Sequence, residues 1–82
     1  MATAELPKLL LVASEPGELR GILRRCRQVK RLSWPVWFAR SAELNGEAVL
    51  LVANGPGPEL AAAAVRTAAT HSRPEAVVST GY

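Results

Sequence analysis

The sequence predicts an α/β fold: a partial mixed sheet with elements in the order strand, helix, hairpin, helix, strand. The prediction rests on a continuous apolar run at Leu9 to Ala13, an Asn45-Gly46 pair between two apolar segments, and an alanine-rich stretch opened by Pro58. At 82 residues the chain is one small domain or a piece of a larger one. Its composition, 49% apolar and 21% charged, is that of a globular chain with a packed core.

Leu9 to Ala13 has the unbroken apolar character of a short strand buried on both faces, and it stops at Ser14. Ser14 is placed to cap a following helix, Pro16 suits its first turn, and Glu15 and Glu18 favour its positive end. Leu19, Ile22, Leu23, Cys26 and Val29 keep helical spacing, while Arg20, Arg24, Arg25, Arg27, Lys30 and Arg31 fill the remaining surface. The spacing thus predicts one amphipathic helix with a basic outer face. Pro35 ends any helix, and Trp34, Val36 and Phe38 alternating with Trp37 and Ala39 predict a half-buried strand. Asn45-Gly46 tolerates the positive φ of a primed turn, so the segment near 36 to 44 is expected to pair with Glu47 to Ala53.

Asn54-Gly55-Pro56-Gly57-Pro58 breaks that strand and opens the second helix, in which Leu60, Ala61, Ala64, Val65 and Ala68 are expected to line one face. After Ser72-Arg73-Pro74, the run Ala76 to Ser79 resumes a buried strand that stops at Thr80-Gly81-Tyr82.

Composition also narrows the chemistry. Ten basic and seven acidic side chains leave a net charge of +3, and every acid is a glutamate. With no aspartate, calcium loops and aspartate-based magnesium sites are excluded, and an aspartate acid or base is not available from these residues. One cysteine, Cys26, and one histidine, His71, give neither an internal disulfide nor a zinc site. Cys26 is expected as a small core residue and His71 as a partner of its helix terminus. No metal or other cofactor is expected. Apolar runs such as Leu9 to Ala13 fall far short of the roughly 20 residues that span a bilayer, and no basic segment precedes a long apolar one near the start. The expectation is a cytoplasmic protein without membrane contact. The arginines from Arg20 to Arg31 are better explained as a solvated face than as a nucleic-acid surface.

Ligands in open α/β sheets sit at the carboxyl ends of strands, and three such ends carry loop chemistry: Ala13 to Glu18, Ala53 to Pro58 and Thr80 to Tyr82. The first sets Ser14 and two glutamates at a helix start, where capping competes with holding an anion, a water or a sugar hydroxyl. Gly55 and Gly57 let backbone approach a ligand and present free amides, although a plain strand-to-helix turn accounts for them as well.

In order and type these segments resemble the opening part of the nucleoside phosphorylase and nucleosidase family, which includes methylthioadenosine/S-adenosylhomocysteine nucleosidase and a hopanoid-associated phosphorylase. Leu9 to Ala13 with Ser14-Glu15-Pro16-Gly17-Glu18-Leu19 is similar to the family's first strand and acid-bearing loop, and Leu44-Asn45-Gly46-Glu47 with the apolar run after it to its hairpin. Asn54-Gly55-Pro56-Gly57 is similar to its small-residue loop, and Pro74 to Gly81 to its next strand. The resemblance implies an incomplete α/β unit, 1–82, forming the N-terminal portion of a domain that cleaves the N-glycosidic bond of a purine nucleoside with water or phosphate. It puts Glu18 at the glutamate that positions the attacking water, and Arg20 near the place of a phosphate-binding arginine. Ser14, Gly55, Pro56, Thr80, Gly81 and Tyr82 then fall on substrate-facing loops. Phosphorylases carry an arginine where this chain has Ser79 and commonly a serine where it has Tyr82, which favours hydrolysis over phosphorolysis. Because the family's aspartate acid has no counterpart here, the 82 residues alone are expected to be inactive. The alternative expectation is a non-catalytic α/β interaction module, and in either case a second copy or a partner chain covers the open sheet edge.

Overall fold

The computed structural model describes residues 9–72, 74 and 76–80, without the side chains of Ser79 and Thr80. Its fold is mixed α/β, with strands β1 (Leu9–Ala13), β2 (Arg27–Arg31), β3 (Phe38–Leu44), β4 (Glu47–Ala53) and β5 (Ala76–Thr80) and helices α1 (Arg20–Leu23) and α2 (Pro58–His71). The strand order is β2-β3-β4-β1-β5. β1 runs parallel to both β4 and β5, pairing Ala13 with Ala53 and with Thr80, whereas β3 is antiparallel to β2 and β4.

The apolar run of β1 and its counterpart in β4 are explained by cover on both faces. Leu10, Val12, Leu50 and Val52 point to one layer, closed by Ala64 and Ala68 of α2. Leu11, Ala13, Val49, Leu51 and Ala53 point to the other, closed by Leu19, Ile22 and Leu23. Leu10, Val12, Leu51 and Val52 are fully buried, each worth about 1.5 to 3 kcal/mol relative to exposure. The alanines of α2 that meet the sheet are short, so the helix lies close; Leu60, expected on the same stripe, is 41% exposed. Where α2 does not reach, Leu32, Trp34 and Val36 of the β2–β3 connection pack on the same layer. Trp34 stacks on His71, the last residue of α2, with ring centroids 5.2 Å apart and planes 16° from parallel. His71 thus acts through its ring, tying the connection to the helix end.

The hairpin forms as expected, with Phe38↔Ala53 through Leu44↔Glu47 in register and positive φ at both Asn45 and Gly46. Several expectations are corrected. β5 forms where a buried strand was expected, but as the sheet's edge it leaves Ala76, Val77 and Val78 exposed. The chain after Ser14 forms a 3-10 turn over Pro16–Leu19 and then only four helical residues before it becomes β2. The apolar stripe holds through Cys26, whose Sγ donates to the Ile22 carbonyl at 3.3 Å, but Val29 is 44% exposed on the edge strand. Tightening i→i−3 bonds from the Arg25 and Cys26 amides to Ile22 and Leu23 end the helix, and the chain then pairs with the open edge of β3. Residues 34–37 do not extend β3 either. Trp34 and Val36 face the α2 layer, Phe38 faces the opposite one, and Trp37 belongs to neither.

Candidate functional site

β1 and β4 lie side by side and parallel, but their chains leave in opposite directions. After β1 the chain turns onto the layer of Leu19 and travels toward β2; after β4 it enters α2 on the other layer and proceeds to β5. Neighbouring strands whose connections leave onto opposite layers mark, outside their carboxyl ends, the usual ligand position in open α/β sheets.

The two loops are tied together there. The Gly55 amide donates to the Ser14 carbonyl at 2.8 Å. The Ser14 hydroxyl, on a residue only 7% exposed, donates to Glu18 Oε1 at 2.6 Å, the short distance of a bond to a charged acceptor. Glu18 itself is exposed, so a carboxylate fixed by a buried serine is presented to solvent at the end of β1. The local cause is the 3-10 turn, which brings the side chains at i and i+4 together across Pro16 and Gly17.

Several expectations about this loop change. The residue opening the 3-10 turn is Glu15, with no side-chain cap, and the Ser14 hydroxyl serves Glu18 instead. A four-residue α1 has little dipole to offer an anion, so the helix-start explanation of an anion site is lost. The Gly55 amide is engaged, not free; its φ of +93° suits glycine, and a Cβ there would lie 2.8 Å from Leu60 Cδ1.

Of the other expected site residues, Pro56 is exposed in the bend before α2, and Arg20 is exposed at the start of α1. Thr80 ends β5 opposite Ala13, while Gly81 and Tyr82 lie outside the described residues. Glu18 also lines a shallow groove of about 460 Å³ with Gly21, Ile22, Arg25, Leu44 and Asn45. Arg25 and Asn45 continue into a second groove of about 270 Å³ that includes Arg27 and Glu43. Neither groove takes in Arg20, Gly55 or Pro56.

Asn54 does more than the turn that its place in the sequence predicts. Its Oδ1 accepts from the Trp37 amide at 3.2 Å and its Nδ2 donates to the Leu60 carbonyl at 3.1 Å, joining β3, the β4 loop and the start of α2. Cys26 is half-buried, and burial pushes its thiol above the ordinary range, away from nucleophile chemistry. Among the described residues, no group of three or more His, Cys, Asp or Glu is gathered for a metal ion, and no helix is long and apolar enough to cross a membrane.

Fold and loops together define an open mixed α/β sheet with a serine-held glutamate at the divergence of two neighbouring strands. No protein-family model, no curated protein and no solved structure matches the chain.

Proposed function

We propose that this chain carries the sugar-side half of a site that cleaves the N-glycosidic bond of a purine nucleoside, with water favoured over phosphate as the attacking group. The observation that carries the proposal is the Ser14–Glu18 pair: an exposed carboxylate, oriented by a buried hydroxyl, where β1 and β4 diverge. A glutamate so held keeps one oxygen for ribose hydroxyls or for a water, and the serine bond stops it from swinging away. The likeness of Leu9 to Leu19 and of Asn54 to Gly57 to the opening of the nucleosidase family supports the same conclusion. The aspartate that the resemblance assigns to protonating the leaving purine is not among these residues, so the 82-residue chain is expected to bind and not to turn over.

The test is a titration of isotope-labelled chain with adenosine, followed by amide chemical shifts. Movement is expected at Ser14 to Glu18 and at Asn54 to Gly57, weakened in Glu18→Gln, with no adenine released. Absence of movement at these amides at millimolar adenosine refutes the proposal, and adenine release by the pure chain refutes the expected inactivity.

The second proposal is an interaction module whose β5 edge receives a partner chain. Val77 and Val78, successive residues on opposite faces of that edge strand, are 47% and 45% exposed, and β5 has no charge to discourage pairing. A Val77→Lys variant is expected to break any concentration-dependent assembly seen by light scattering; assembly that survives the substitution refutes it.

A further inference from the structure

We infer that Trp37 is the aromatic wall on which the purine base of the ligand stacks, making it a specificity-determining residue of the proposed site. The inference rests on the nucleoside assignment of Glu18 and extends it to the base. Val36 packs on the α2 layer and Phe38 on the other, so the residue between them stands clear of both and is 62% exposed. It is the most exposed of the large apolar side chains among the described residues. Its backbone is anchored all the same, because the Trp37 amide donates to Asn54 Oδ1 while Asn54 Nδ2 holds the Leu60 carbonyl.

Placement in the sheet gives this exposure a purpose. Trp37 precedes Phe38, which pairs with Ala53, and Ala53 pairs with Ala13; Trp37, Asn54 and Ser14 therefore follow one another along the carboxyl end of the sheet. Hydrogen bonds mark the row: Trp37 to Asn54, Gly55 to Ser14, and Ser14 to Glu18. Two strand spacings, about 10 Å, separate the top of β3 from the top of β1. A nucleoside of about that length lies, in this inference, along the row with its base at the indole and its ribose toward Ser14, whose hydroxyl holds Glu18. An indole face recognises any planar π system and gains more from the two fused rings of a purine than from one ring, so the chemical class is purine over pyrimidine.

The experiment uses the full chain with Trp34→Phe, which keeps a ring against His71 and leaves Trp37 as the sole indole. Fluorescence is excited at the red edge of indole absorption, where adenine does not absorb. Free adenine and adenosine are expected to quench Trp37, uridine to quench less, and D-ribose not at all. Trp37→Ala, followed by adenosine-dependent amide shifts, is expected to weaken binding by about tenfold. Because the side chain lies outside both core layers, circular dichroism of Trp37→Ala is expected to match the parent. If adenosine moves the Ser14 and Glu18 amides while Trp37 is unquenched and Trp37→Ala binds as tightly, the inference is overturned and the Glu18 assignment stands. If adenine quenches Trp37 but ribose-bearing ligands leave Ser14 and Glu18 unmoved, the wall stands and the Glu18 assignment falls. If neither signal responds, both are overturned.

Discussion

Replacing Gly55 with alanine is expected to destabilise the chain by about 2 kcal/mol, and the structure supplies both parts of that figure. The backbone at Gly55 has φ +93°, a conformation that costs a residue bearing a Cβ roughly 1 to 2 kcal/mol. The new Cβ would also lie 2.8 Å from Leu60 Cδ1. That methyl ends a side chain 41% exposed, so it can turn aside at about 0.5 to 1 kcal/mol of rotamer strain. For a domain of this size, about 2 kcal/mol lowers the melting midpoint by roughly 8 to 16 °C. A companion variant is Gly57→Ala, where nothing lies within 4 Å of the added Cβ but φ +102° with ψ 153° is a glycine-only conformation that costs about 1 to 3 kcal/mol on its own. Thermal melts of the parent and both variants, followed by circular dichroism, make the comparison. A Gly55→Ala or Gly57→Ala midpoint equal to the parent refutes the backbone argument.

Three further outcomes are expected. Gly21→Ala is expected to stabilise the chain by about 0.5 to 1 kcal/mol in urea denaturation, because Gly21 is helical, ordinary in φ and has open space at its Cβ position. A double-mutant cycle of Trp34→Ala and His71→Ala is expected to return a coupling of about 0.5 to 1.5 kcal/mol from the stacked rings, and additive single effects would contradict the stack. Burial raises the thiol of Cys26, so its alkylation rate is expected to climb with pH at a midpoint above that of a free cysteine. The unfolded chain then sheds this proton first as pH rises, which makes the cysteine's share of stability fall through the alkaline range and stay constant below it; a midpoint at or below the ordinary thiol value contradicts the burial.

Much of the fold was legible because local and global signals agree. Leu9 to Ala13 could be buried on both faces only in a covered sheet, and Asn45-Gly46 demanded the primed turn that the hairpin contains. Pro58 and the alanines after it marked α2, and Ala64 and Ala68 face the core as their spacing required. The misread segment is 24–31, where Cys26 and Val29 continued the helical spacing of Leu19, Ile22 and Leu23. That spacing carried no information about the unpaired edge of β3, which recruits Arg27–Arg31 as an all-exposed strand with an extra residue between Arg27 and Lys30. Periodicity reports what a segment can bury locally; an edge partner many residues away is a tertiary fact. At the site, Ser14 and Glu18 were identified as residues but not as partners, since capping explained the serine without its neighbour. Asn54 and Trp37 were unreadable as a pair because they lie 17 positions apart and meet only through the β3–β4 register.

The central claim is that the Ser14–Glu18 pair faces the ribose of a bound nucleoside, and the direct measurement is a set of intermolecular nuclear Overhauser effects between adenosine and the labelled chain. Contacts are expected from ribose protons to the side chains of Ser14 and Glu18, with the adenine protons nearer Trp37. Ribose contacts confined to Leu44 and Asn45 in the neighbouring groove, or no intermolecular contacts under saturating ligand, would contradict the claim.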